Sequence, residues 1–125
     1  MDPGAIGEIR FVTVDSRDPE RLAEFWSRVL GVEVEERFGD GYVILSRATE
    51  GAPRVTFQRV PEEKSGKNRL HLDLKVTSID AATRDLEELG AMRTLDGDFE
   101  EEGYRWRVMR DPEGNEFCIA LMPPS

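Results

Sequence analysis

Apolar and polar positions along the chain fall into two blocks that follow the same order. Residues 9–14 (Ile, Arg, Phe, Val, Thr, Val) are a β-branched and aromatic run of strand length. Asp18-Pro19 supplies a helix cap with proline at the first helical position, and Leu22, Phe25, Trp26, Val29 and Leu30 recur at helical spacing before Gly31. This pattern predicts a three-turn amphipathic helix whose stripe, Phe25 and Trp26 included, packs on a sheet. Val32, Val34 and Arg37 lead into the turn signal Phe38-Gly39-Asp40-Gly41, and the apolar run 42–45 behind it completes a hairpin. A further strand is predicted over 54–60, followed by a polar, turn-rich connector.

The second block opens over 70–76 with strict alternation, the leucines and Val76 on one face and His71, Asp73 and Lys75 on the other. Ser78 caps a helix whose Ile79, Ala82, Leu86 and Leu89 share a stripe, and Gly90 ends it. Strands over 91–95 and 104–110 flank a glycine and acid stretch, and Asp111-Pro112-Glu113-Gly114-Asn115 turns the chain into a last strand over 116–122. Both blocks read β-α-β-β-β. Phe11-Val12-Thr13-Val14 matches His71-Leu72-Asp73-Leu74 and Phe57-Gln58 matches Phe117-Cys118, each 60 residues apart, while Leu30-Gly31 matches Leu89-Gly90 at 59. An internal duplication follows. The expected fold is α+β: two tandem βαβββ modules, about 8–60 and 69–122 with a connector over 61–68, forming one domain. Its curved mixed sheet carries the helices on its outer face and leaves a concave side free.

Composition narrows the function. Seventeen basic residues against 26 acidic ones give a formal charge of -9, which argues against nucleic acid and anionic membrane as partners. The chain starts without a basic and apolar leader, no stretch approaches the length of a membrane span, and the single Cys118 has no partner for a disulfide. A cytoplasmic protein is expected.

Three stretches carry a family resemblance: Asp18-Pro19-Glu20-Arg21-Leu22-Ala23-Glu24-Phe25-Trp26 with Val29-Leu30-Gly31, then Arg69-Leu70-His71-Leu72-Asp73-Leu74, then Asp111-Pro112-Glu113-Gly114-Asn115-Glu116-Phe117-Cys118. The chain resembles the vicinal oxygen chelate superfamily and, within it, the glyoxalase/bleomycin-resistance type of domain common in bacteria. The resemblance implies paired modules forming a cup for a small organic molecule, with a divalent metal at its base in many members, and a homodimer by analogy. The ligand places it implies fall here on Phe11, Gln58, His71 and Cys118, with Thr56 on the same strand face as Gln58 and exchangeable with it by a small register change. A phenylalanine cannot donate, and the quartet holds no carboxylate for a hard ion and too few donors for zinc, so neither metal nor other cofactor is expected. Asp73 and Glu116 lie two residues from His71 and Cys118 and are the alternatives that would restore a site.

His71, the only histidine, is the candidate catalytic group, able to act as acid or base near neutral pH. Asp73 is two residues away on the same strand, a spacing that seldom gives a direct bond. Cys118 is read as a small core residue. Either Trp106 or the pair Arg105 and Arg107 faces the cup, with Trp106 preferred as its aromatic wall. The acidic stretch 96–102 reads as a solvated hairpin tip, and Lys64, Lys67 and Arg69 as a wet connector that can meet an anion. The expected function is metal-independent binding of a small organic molecule by Phe11, Gln58, His71, Trp106 and Cys118, of the resistance or sequestration type. The alternatives are a glyoxalase-type lyase or isomerase, using His71 as base or an atypical metal, and a dimeric interaction module with a vestigial cup.

Overall fold

The computed structural model describes residues 4–121 and divides the chain into two compact units, the first ending at Glu63 and the second beginning at Lys64. The first unit holds β1 (Phe11–Ser16), α1 (Pro19–Leu30), β2 (Val34–Phe38), β3 (Tyr42–Leu45) and β4 (Arg54–Arg59); the second holds β5 (Leu72–Lys75), α2 (Ile79–Glu88), β6 (Met92–Glu101), β7 (Tyr104–Arg110) and β8 (Glu116–Leu121). Each is a βαβββ module with a four-stranded mixed sheet, ordered β1-β4-β3-β2 in one and β5-β8-β7-β6 in the other. The first strand of each module runs parallel to the last, and the remaining pairs are antiparallel. The α+β reading therefore holds, with the strands in two sheets.

Each helix buries one face of its own sheet. In α1, Asp18 accepts from the Arg21 amide at 3.3 Å, Pro19 opens the helix, and Gly31 closes it in the left-handed region at φ 68°. Its buried residues Leu22, Ala23, Phe25 and Trp26 belong to the same core as Val43, Leu45 and Phe57. Trp26 meets Phe25 edge to face at 5.2 Å, so both aromatics are packing residues, as expected. In α2, Ser78 caps the Ala81 amide at 3.1 Å, and Ile79, Thr83 and Leu86 are the buried positions.

Several boundaries differ from the sequence reading. Strand one runs two residues later than expected, leaving Ile9 exposed. The strand expected over 70–76 begins only at Leu72, where pairing with Phe117 starts, and Leu70 is 88% exposed instead of joining the apolar face. The predicted end of the last strand, Met122, lies outside the described residues. The acidic stretch 96–102 is solvated, as expected, but only its end forms the hairpin tip. Most of it belongs to β6, past a bulge between Arg93 and Asp98, and the turn falls at Glu102 and Gly103 with φ of 51° and 84°.

Arg107 explains that extension. It lies on the helix-facing side of β7, 7% exposed, donating to Asp98 at 2.6 and 2.9 Å, to Thr83 Oγ1 at 2.8 Å and to Asp80 at 3.2 Å. Asp98 holds the guanidinium proton more tightly, and Arg107 holds the Asp98 carboxyl below the usual carboxylate range. A chain segment that reads as solvated acid is thus drawn into the sheet by one buried cation.

The turn before β8 is built on Asp111. Its buried carboxylate accepts from the amides of Glu113 and Asn115, both at 2.9 Å, and from Asn115 Nδ2 at 2.9 and 3.1 Å. Gly114 sits at φ 87°, which a side-chain-bearing residue rarely adopts. Asp111→Ala removes the acceptor of these half-buried hydrogen bonds, and urea unfolding should show a loss of about 2–4 kcal/mol.

Candidate functional site

The face of each sheet turned away from its helix is where chemistry can be placed. In the second unit Phe117 and Ile119 are buried against α2, so alternation sends Cys118 and Ala120 to the opposite face. The pairs Asp73–Cys118 and Trp106–Ala120 bring their partners to that face, while Arg107, paired with Ile119, goes to the helix side. Trp106 is therefore the β7 residue on the open face, as preferred from sequence. It stacks on Phe99 of β6 at 5.5 Å with the rings 15° apart.

These residues line a hollow of about 450 Å³, formed by His71, Asp73, Glu101, Glu102, Tyr104, Trp106, Cys118 and Ala120. Contrary to expectation for residues two apart, His71 Nε2 lies 3.2 Å from Asp73 Oδ1, an ion pair when the imidazole is protonated. His71 stands just before β5, outside the ladder, which frees its side chain to turn toward Asp73. The Cys118 thiol joins them: one ligand atom from each of His71, Asp73 and Cys118 lies within 4.8 Å of the others. Burial pushes the thiol up to about 11, and the Asp73 charge and a hydrogen bond to Asp73 act in the same direction. Cys118 at neutral pH is a protonated donor beside a carboxylate.

Glu116 does not take part in this cluster. It is buried, accepting from Lys67 Nζ at 2.9 Å and from the Asn68 amide at 3.3 Å, while its carbonyl accepts from Asn68 Nδ2 at 3.1 Å. Lys67 is thereby committed to fastening the connector to β8, and Lys67 holds the Glu116 carboxyl below its ordinary range.

The remaining expected residues, Phe11 and Gln58, belong to the first unit. Phe11 lines a hollow of about 290 Å³ with Thr13, Phe38, Tyr42, Ile44 and Thr56. Gln58 pairs with Tyr42 on the same face but is not among the lining residues, and Thr56, its alternative, is. The two modules also differ in register: Phe57 pairs with Val14, whereas Phe117 pairs with Leu72. By strand pairing, the counterpart of His71 is thus Thr13, two residues from the Phe11 that the sequence match selects. A shift of two keeps both on the open face.

The four implied metal places do not make a metal site, since Phe11 has no donor atom and Gln58 offers only an amide. The nearest substitute among the described residues is the trio His71, Asp73 and Cys118, whose imidazole, single carboxylate and thiol suit a borderline-soft ion and not a hard one. Sequence reasoning did not bring Glu101, Glu102 and Tyr104 to the hollow, and it missed the contact of Asp73 with His71 and the buried role of Arg107. The spacing of Asp73 was visible, but the bend of His71 off the strand was not.

A family described as the glyoxalase-like domain matches residues 11–120. No curated protein matches the chain. Among solved structures, a glyoxalase/bleomycin resistance protein/dioxygenase family enzyme from Burkholderia phytofirmans PsJN is 20% identical with a TM-score of 0.76, covering 92% of this chain and 98% of its own. The hypothetical protein SA1046 from S. aureus is 17% identical with a TM-score of 0.72, covering 95% and 96%. TioX from Micromonospora sp. ML1 is 20% identical with a TM-score of 0.60, covering 92% and 98%. At these identities the likeness is one of fold. No helix among the described residues is long and apolar enough to cross a membrane.

Two measurements check the electrostatics. With the thiol at about 11, roughly one Cys118 in a thousand is thiolate at pH 8. Iodoacetamide should modify the native chain slowly, with a rate still climbing above pH 10; Asp73→Asn should speed it several-fold at pH 8. Because the Glu116 carboxyl is lowered on folding, its contribution to stability is present above the ordinary glutamate range and is lost as pH falls through the lowered value. Glu116→Gln should be less stable than wild type at pH 7 and show a flatter acid limb in urea midpoints.

Proposed function

Because the chain belongs to the glyoxalase-like domain family, we propose that it is a cytoplasmic binding protein that holds a small, positively charged aromatic molecule without a resident metal and without turnover, as sequestration requires. The reading rests on the make-up of the hollow on the second sheet. Trp106 and Tyr104 offer ring surface, Asp73, Glu101 and Glu102 offer negative charge, and the lining includes no lysine or arginine. An aromatic cation gains stacking and cation–π contact from the rings and attraction from the acids, whereas an anion meets only repulsion. Its size suits a ligand of two or three fused rings. His71, fixed by Asp73, supplies a directional polar contact.

Proflavine, a planar cation, is a direct probe. It should bind with micromolar affinity; Trp106→Ala should weaken binding at least tenfold and His71→Ala several-fold. The anionic dye 1-anilinonaphthalene-8-sulfonate should bind at least tenfold more weakly than proflavine. Equal binding of the two dyes, or indifference to Trp106→Ala, rejects the proposal.

The closeness of His71, Asp73 and Cys118 favours a second reading, in which this trio holds a borderline-soft ion and the protein is a glyoxalase-type lyase or isomerase. Elemental analysis of protein purified without chelator separates the two. Stoichiometric zinc, nickel or cobalt that is lost in Cys118→Ala supports the second; proflavine binding unchanged by chelator supports the first.

A further inference from the structure

The β6–β7 hairpin carries spare chain. Between Arg93 and Asp98 β6 has four residues where β7 has only Val108 between Met109 and Arg107, so three residues of the segment 94–97 have no opposite. The bulge is loosely tied: Thr94 Oγ1 donates to the Val108 carbonyl at 3.3 Å and accepts from the Asp96 amide at 3.4 Å, while Leu95 is fully exposed. Acids recur at every second position, Asp96, Asp98 and Glu100, and Asp98 is the one that holds Arg107. Sliding β6 by two residues toward the turn places Asp96 opposite Arg107, Gly97 opposite Trp106 and Phe99 opposite Tyr104, with every face preserved. The slide reduces the bulge to a single residue, lengthens the turn to residues 100–103, a common hairpin length, and brings Leu95 opposite Val108. Sliding the other way leaves no residues for a turn, and sliding by one turns Asp98 away from Arg107.

We propose that β6 occupies two registers and that the choice between them makes or withdraws the hollow of the second unit. In the observed register Phe99, itself not among the lining residues, stacks on Trp106, and Glu101 and Glu102 stand beside Tyr104 at the rim. In the other register a glycine faces Trp106, the indole loses its support, and both glutamates move out into the turn. The hollow then lacks the braced ring and the acids that hold a cation, a control that rests on the cation-binding reading. Arg107 finds a carboxylate in either register, so the buried cation that fixes the sheet does not oppose the slide. The remaining contacts balance. The observed register has the aromatic stack but puts Glu102 at φ 51°, where Asn or Gly is usual; the other gives up the stack and brings Leu95 out of water.

Relaxation-dispersion NMR on the full chain without ligand tests the registers. The amides of residues 94–104 should share one exchange process on the microsecond to millisecond scale. Asp96→Ala and Leu95→Ser each remove a contact made only in the second register and should lower its population about fivefold or more. Phe99→Ala removes the stack of the observed register, should raise the second about fivefold, and should give a nuclear Overhauser contact between the Leu95 and Val108 methyls. Asp85→Asn, an exposed acid on α2, should change nothing. Saturating proflavine should suppress the exchange, because only the observed register holds the cation. The proposal is overturned if the wild type shows no such exchange, if Asp96→Ala and Leu95→Ser leave it unaltered, or if Phe99→Ala shows no contact between Leu95 and Val108. It is also overturned if proflavine binds and the exchange continues as before. Exchange with the expected response to the variants in a chain that does not bind proflavine upholds the two registers and overturns the cation-binding reading instead.

Discussion

In both modules a single helix buries one side of a four-stranded sheet, and that burial decides where every other strand residue points. Phe117 and Ile119 are 1% and 0% exposed beneath α2, and Cys118 stands between them. Turning β8 over to place Cys118 beneath α2 would remove both large side chains from the core, at about 1.5–3 kcal/mol each. The same argument applies to Phe57 in the first module, where it leaves Thr56 on the open side. The helix-facing core therefore prescribes which side chains reach the open face.

Other buried polar residues act as fasteners. Arg107 ties β6 and α2 to β7, Asp111 closes the turn into β8, and Glu116 anchors the connector through Lys67 and Asn68. Each is buried, and each is satisfied by several hydrogen bonds, as a buried charge must be. The result bears directly on the hollow, because Glu101 and Glu102 at its rim are carried by the hairpin that Arg107 holds in place.

Much of this was legible from the residues alone. The order of elements, both helix caps, the Asp-Pro-Glu-Gly-Asn turn and the inward choice of Trp106 follow from periodicity and local chemistry, which depend on neighbours within a few positions. What escaped depends on partners far along the chain. Residues 96–102 are solvated as they read, but that they continue a strand is hidden until Arg107 is known to face α2, and Leu70 reads as a core leucine because alternation does not reveal where pairing with β8 begins. At the site, Trp106, His71 and Cys118 share one hollow, but Asp73 joined them because His71 stands one residue before β5, outside the ladder, which alternation alone does not reveal. Thr56 replaced Gln58 in the lining because the two are equivalent in alternation and differ only in their place along β4.

The unequal pairing of the outer strands, Val14 with Phe57 but Leu72 with Phe117, has an evolutionary meaning. A ladder that slides by an even step trades one outward-facing residue for the next and leaves the interior intact, whereas an odd step turns the module inside out. Descendants of a doubled gene can therefore explore new combinations of outward side chains along a ratchet with a two-residue pitch, and the halves of such a protein drift apart in chemistry long before they drift apart in shape.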